Sequence, residues 1–330
     1  MEKKILSRGA IYLVTVVVIC ELLSFIVPAE SVTVQKNMIN AVYLRRDKIE
    51  SLAFGRSHGG SLDYNIWDKT GKNLSMGGQD IASIKYSLDY LSPELPHLKE
   101  VLICISYSSL YFDNEALSNG NLNDARKGLY AAIPSYTLIS ANDYNNMVFG
   151  KLFAFIQADY GFRKLVKALK DKEEKKASKQ VSHIVVDTAK ILQSGKIDAF
   201  DHSKDKKLAL QYNPQIREQY LAYLKQIATE LKAKKIKCIF YTPPFYKAYT
   251  DNYPPKDIEE TEKVMAELCK QTGTTYYDFS AYKKMADNIA LYSNADHLNE
   301  DGKEEFTQAF KQVLRDGKGP AEYPGLKIFK

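Results

Sequence analysis

Three short stretches of this 330-residue chain carry residues whose types and order could do chemistry. The first is Gly55-Arg56-Ser57-His58-Gly59-Gly60, which follows a strand-like run at 49–54. A serine just past a strand, among glycines that admit close backbone approach, stands where a nucleophile can act. A neutral hydroxyl is a poor nucleophile and needs an adjacent base. The second stretch, Asn294-Ala295-Asp296-His297-Leu298-Asn299, offers one in His297, since imidazole accepts a proton near neutral pH. The third is Gly77-Gly78, after another predicted strand. Its backbone N–H groups, with that of Ser57, are the fixed donors that a developing oxyanion requires. Ser57, Gly77 and Gly78 therefore read as an oxyanion hole, and Ser57 with His297 as nucleophile and base.

These stretches lie far apart in the chain, so a fold must bring them together. Strands are expected at 49–54, 73–76, 101–105, 236–241 and 274–279, with helices at 79–91, 214–234 and 258–271. A last helix, with Asp301 as a possible cap, would bury Phe306, Phe310, Val313 and Leu314. Strands alternating with helices imply parallel βαβ units and a three-layer α/β/α fold with a five-stranded, mainly parallel sheet. Ligands bind beyond the carboxyl ends of such strands, and all three stretches follow strands, so they converge on one rim. Residues 107–212 break the rhythm and read as a mostly helical insertion, with 195–212 polar and loop-like. Residues 318–330 read as a tail.

Apolar content of 45%, charged content of 26% and a net charge of +6 are those of a globular protein. The lysines are mixed with acids, and no basic stripe interleaves with aromatics, which excludes a nucleic-acid groove. At the N-terminus, Lys3, Lys4 and Arg8 precede an uncharged run at 9–20; Glu21 interrupts, and 22–29 is apolar again. Residues 1–30 are about long enough for a membrane-spanning helix with its N-terminus in the cytoplasm. A signal segment cleaved near Val27-Pro28-Ala29 is the alternative. On either reading, residues 31–330 form a domain outside the cytoplasm. The four cysteines lack a disulfide or CxxC pattern, and no His, Asp or Glu set has metal-ligand spacing, so no metal or other cofactor is expected. His58 reads as a rim residue in contact with substrate. Tyr107, with Tyr111, Tyr130, Tyr136 and Tyr144, either lines a carbohydrate groove by stacking or packs in the interior, with Tyr107 taken as a substrate contact. His97, His183 and His202 read as surface residues.

Taken in order, the blocks Phe54-Gly55-Arg56-Ser57-His58, Asn73-Leu74-Ser75-Met76-Gly77-Gly78-Gln79 and His297-Leu298-Asn299-Glu300-Asp301-Gly302 resemble the SGNH/GDSL hydrolase superfamily. With the anchor and Tyr241-Thr242-Pro243-Pro244, the closer likeness is to a membrane-anchored branch associated with cell-envelope O-acyltransferases. That branch includes alginate acetylation and teichoic-acid D-alanyl-transfer proteins. The resemblance covers about two-thirds of the chain. It implies a flavodoxin-like sheet, a serine acyltransferase or esterase acting on acyl esters, with acetyl favoured, a polysaccharide or teichoic-acid-like glycan as acceptor, and a membrane-bound O-acyltransferase as partner. Two positions depart from the pattern. The superfamily carries Asp three residues before the histidine, where this chain has Asn294. Side chains alternate along an extended segment, which ranks Asn294 ahead of the adjacent Asp296 as the group that orients His297. The superfamily's oxyanion-hole Asn is also replaced, by Ser106-Tyr107-Ser108-Ser109. Both departures leave open a second class of function, a catalytically weak scaffold or glycan-binding partner of the acyltransferase.

Overall fold

In the computed structural model, Ser51–Phe54 forms β1, whose residues are all buried, as a strand covered on both faces requires. The structure describes residues 8–12, 14–19, 22, 30–112, 124–152, 187–203, 215–317 and 319–330. In chain order the helices are α1 (Glu30–Tyr43), α2 (Ile81–Leu91), α3 (Asp124–Ala132), α4 (Tyr144–Leu152), α5 (Thr188–His202), α6 (Ile216–Ala233), α7 (Lys247–Thr250), α8 (Pro255–Thr272), α9 (Lys283–Ala286) and α10 (Glu300–Asp316). The strands after β1 are β2 (Gly71–Asn73), β3 (Glu100–Cys104), β4 (Lys237–Thr242), β5 (Thr275–Asp278), β6 (Tyr292–Asn294), β7 (His297–Leu298) and β8 (Lys327–Phe329).

Contacts divide the chain into two units. One comprises residues 1–40 and 118–184, the other 41–117 and 185–330. Within the first, α3 packs against α4. There the Arg126 guanidinium pairs with the buried Asp143 carboxylate, and Tyr130 and Asn146 also donate to Asp143.

The second unit holds the sheet, ordered β2-β1-β3-β4-β5-β8. The pairs β1–β2, β1–β3, β3–β4 and β4–β5 are parallel, and β5–β8 is antiparallel. The sheet therefore has six strands, not the expected five. The sixth comes from the segment read as a tail, where Lys327-Ile328-Phe329 pairs with β5 and the Phe329 ring stacks on Tyr276 at 5.6 Å. Three residues after Pro324 and Gly325 are too short for a periodic pattern to register. The strand order reverses between β1 and β3, which sets a binding crevice at the carboxyl end of β1.

Helices cover the sheet on both faces. Ala53, Leu102, Ile239 and Tyr241 project into a cluster with Phe306, Phe310 and Val313 of α10 and with Ile191 and Ala199 of α5. Asp80 caps α2 by accepting from Ser83 N at 2.8 Å. Asn299, not Asp301, caps α10 by accepting from Gly302 N at 2.9 Å. Residues 188–202, read in part as loop, form α5. Gly195 lies inside this helix, where a Cβ would come within 2.7 Å of the Ala248 backbone on α7.

Among the described residues no helix is long and apolar enough to cross a membrane. Most of the expected anchor lies outside them (1–7, 13, 20, 21 and 23–29), as do 113–123, 153–186 and 204–214 of the expected insertion.

Candidate active site

The carboxyl end of β1 runs into Gly55 and then a 3-10 turn, Ser57–Ser61. Close approach forces glycine at two positions. A Cβ on Gly55 would lie 2.6 Å from Cys104 Cβ, and one on Gly59 would lie 2.3 Å from Ser75 Oγ. Hydrogen bonds then tie the serine block to the glycine block. Gly55 N donates to Gln79 Oε1 at 3.1 Å, and Met76 N donates to Gly55 O at 3.0 Å. Asn73 Nδ2 donates to Gly59 O at 2.8 Å and to Leu62 O at 3.0 Å. Ser57 opens the turn with an exposed side chain; Gly77 is exposed and Gly78 half-buried, with φ of 76°.

β6 and β7 pair antiparallel with Asn294 opposite His297, so Ala295 and Asp296 form a two-residue hairpin turn. This turn decides what faces the histidine. Cross-strand partners lie side by side, and His297 Nδ1 is 3.0 Å from Asn294 Oδ1. Alternation along a strand does not extend through the turn, and Asp296 folds back so that its Oδ1 lies 2.7 Å from the same Nδ1. Both candidate orienting groups reach His297, with the carboxylate nearer.

Asp296 is buried, and its second oxygen is also taken. Its Oδ2 lies 2.8 Å from His58 Nε2 and 3.6 Å from His202 Nδ1. Burial by itself would raise the Asp296 pKa, but hydrogen bonds from His297 and His58 hold it well below the usual carboxylate range. An ionised Asp296 accepts, so the histidines donate. His297 then carries its proton on Nδ1, which leaves the Nε2 lone pair available as a base. His58 carries its proton on Nε2, which leaves Nδ1 buried with no hydrogen-bond partner. Burial pushes the His58 pKa down against the pull of Asp296. His202 falls to about 4, through burial first and the neighbouring His58 next. Asp198 on α5 faces Asn294, whose Nδ2 is 3.5 Å from its Oδ2. Burial and then Asp296 raise the Asp198 carboxyl to about 6.

The expected residues thus separate into groups. His58, Asn294, Asp296 and His297 meet at one point. Ser57 is next to His58 in the chain, and β7 packs against its turn, although no hydrogen bond joins Ser57 Oγ to His297 among the described residues. Gly77 and Gly78 stand on the same rim. Two substrate-contact expectations are corrected. His58 is 4% exposed and spends Nε2 on Asp296; its ring lies 4.7 Å from that of His297, centroid to centroid. Tyr107 is buried among Phe245 and Tyr253 and donates to Ser280 Oγ at 2.5 Å, so it is a core residue, not groove lining.

His202, read as a surface residue, is the group that sequence reasoning missed. Its stretch is polar, and only the α5 helix brings it to Asp296. His58, Asp296 and His297 also present ligand atoms within 4.8 Å of one another, a set able to hold a metal ion. Spacing could not reveal it, because its members come from separate segments. Arg56 is also fixed nearby. It donates to Ser108 Oγ at 3.0 Å and covers the Phe112 ring at 3.5 Å, which places a cation beside Ser57. Where the superfamily's Asn would stand, Ser106 and Ser109 share a hydrogen bond at 2.9 Å and are buried.

No protein-family model and no curated protein matches the chain. Among solved structures, it is similar to a candidate acylhydrolase from Bacteroides fragilis NCTC 9343, at 10% identity and a TM-score of 0.39, over 84% of this chain and 94% of that one. It is also similar to a lipase/acylhydrolase from Enterococcus faecalis, at 12% identity and a TM-score of 0.34, over 82% of this chain and 98% of that one.

Proposed function

We propose that this chain is an SGNH-like serine O-acyltransferase or esterase that works outside the cytoplasm on acyl esters of a cell-envelope glycan. The observation that carries the reading is His297 held by Asp296 at 2.7 Å through Nδ1, on the rim where Ser57 opens the turn after β1. That bond fixes the tautomer whose Nε2 is basic.

In the proposed reaction, Ser57 Oγ bonds to the acyl carbon as its proton passes to His297 Nε2. The carbonyl electron pair moves onto oxygen, where the N–H groups of Ser57 and Gly77 or Gly78 meet the charge. Asp296 stabilises the imidazolium that forms. Collapse of the intermediate breaks the bond to the donor oxygen, which leaves with the proton from Nε2. A glycan hydroxyl, or water, then attacks acyl-Ser57 by the same steps in reverse, with Nε2 taking its proton. The donor, a membrane-bound O-acyltransferase, the acetyl group and the glycan acceptor follow from the resemblance of the sequence blocks. The membrane anchor is supported by the N-terminal helical residues Ile11, Tyr12, Val14, Val18 and Ile19, apolar side chains that are all at least half exposed.

The test is hydrolysis of a chromogenic acetyl ester by the full chain. Ser57→Ala and His297→Gln each lower kcat by at least about a thousandfold under this reading. Activity that survives Ser57→Ala excludes it. The second reading, a non-catalytic scaffold or glycan-binding partner, is favoured by the missing Ser57–His297 hydrogen bond. It predicts a folded wild-type protein with no ester turnover at all.

A further inference from the structure

Asp296 is surrounded by three imidazoles, two more than an acyl-transfer site of this kind uses. His58 Nε2 and His202 Nδ1 approach Oδ2 at 2.8 and 3.6 Å, while His297 Nδ1 approaches Oδ1 at 2.7 Å. His58 and His202 do not bear on the reacting atoms, and His58 Nδ1 is buried without a partner. A tetrahedral zinc ion with bonds of about 2.0–2.1 Å needs donors roughly 3.3 Å apart, and imidazole and carboxylate are donors it takes. His58, Asp296 and His297 present donor atoms within 4.8 Å of one another, and His202 Nδ1 stands 3.6 Å from Asp296 Oδ2, so side-chain rotations are needed to bring the four to that spacing.

We infer that His58, His202, Asp296 and His297 form a zinc site, and that zinc in it switches off acyl transfer. The binding stands on the geometry alone, whereas the inhibition rests on the catalytic reading above. Inhibition follows from which atom of His297 faces the site. Zinc on Nδ1 moves the ring proton to Nε2, the atom that must accept the serine proton. The ring stays neutral, no proton is released, and the base is lost. At His58, coordination through Nε2 moves the proton to the buried Nδ1, and the bond to the metal replaces the Nε2–H hydrogen bond to Asp296. Asp296 supplies the one anionic ligand.

The experiment separates binding from catalysis by measuring binding on metal-stripped full-length Ser57→Ala protein. Titration with zinc against a chromophoric chelator gives one zinc per chain, and cobalt(II) in its place gives the intense visible bands of tetrahedral coordination. His58→Ala and His202→Ala each weaken zinc at least about tenfold; His202→Asn, a milder change, serves if the alanine variant fails to fold. In the wild type, one equivalent of zinc abolishes ester hydrolysis and a chelator restores it. Absence of stoichiometric zinc, or an affinity unmoved by the substitutions at His58 and His202, overturns the site. Zinc bound with hydrolysis unchanged overturns the switch. An inactive wild type whose Ser57→Ala form binds zinc at this site overturns the catalytic reading and the switch, and leaves the site standing.

Discussion

At the scale of single residues, the site turns on Asp296 and Asn294. A carboxylate stabilises the imidazolium by charge, whereas an amide only fixes the tautomer. Asp296→Asn keeps the shape and removes the charge, so it should lower kcat by about three to four orders of magnitude, as in serine proteases. Asn294→Ala removes the longer of the two hydrogen bonds and should cost about tenfold at most; stopped-flow ester hydrolysis compares the two. Asn294→Asp is not expected to improve the enzyme, although an Asp at that position is the superfamily's pattern. It would place a third carboxylate against Asp198 and Asp296. Above pH 6, where Asp198 ionises, it should destabilise the fold on the order of 1 kcal/mol, read from urea midpoints. Ser57, His297 and the glycines are legible from their positions after strands. The rank of Asp296 is not, because alternation governs a strand and a two-residue turn cancels it.

At the scale of elements, the rim is shaped by close backbone approach. Gly59→Ala would drive a Cβ into Ser75 and separate the serine and glycine blocks, at a cost of about 1–3 kcal/mol in denaturant unfolding. The end of β5 makes a different prediction. Asp278 is buried, one of its oxygens has no partner, and burial raises its carboxyl to about 6 from 3.8. A folded-state pKa above the unfolded one means that the fold binds the proton more tightly, so this group's contribution to stability declines as pH rises from about 4 to above 6. Asp278→Asn should therefore stabilise the protein at pH 8 by on the order of 2–3 kcal/mol, an advantage that shrinks towards pH 4. Equal unfolding midpoints for the two proteins at pH 8 would contradict this. The parallel strands and their helices were readable because buried β3 and β4 are continuous apolar runs and α2, α6 and α10 repeat at helical spacing. β8 was not readable, since its three residues are a strand only because β5 offers an open edge.

At the scale of the whole molecule, the site draws on turns and hairpins at the ends of β1, β2 and β5 and on the far end of α5. The first three follow from the topology of a parallel sheet, whose carboxyl ends share one rim. The α5 contribution does not, because residues 188–202 have little amphipathic contrast and their helix is held by packing against α7. His202, and the zinc site proposed around it, are therefore not legible in the sequence. Whether the chain is an enzyme at all rests on Ser57, and covalent labelling reads that directly. The full-length protein should react with a fluorophosphonate, and peptide mass spectrometry should find the adduct on Ser57, with labelling lost in His297→Gln. A folded protein that remains unlabelled, or an adduct on any other serine, would contradict the account.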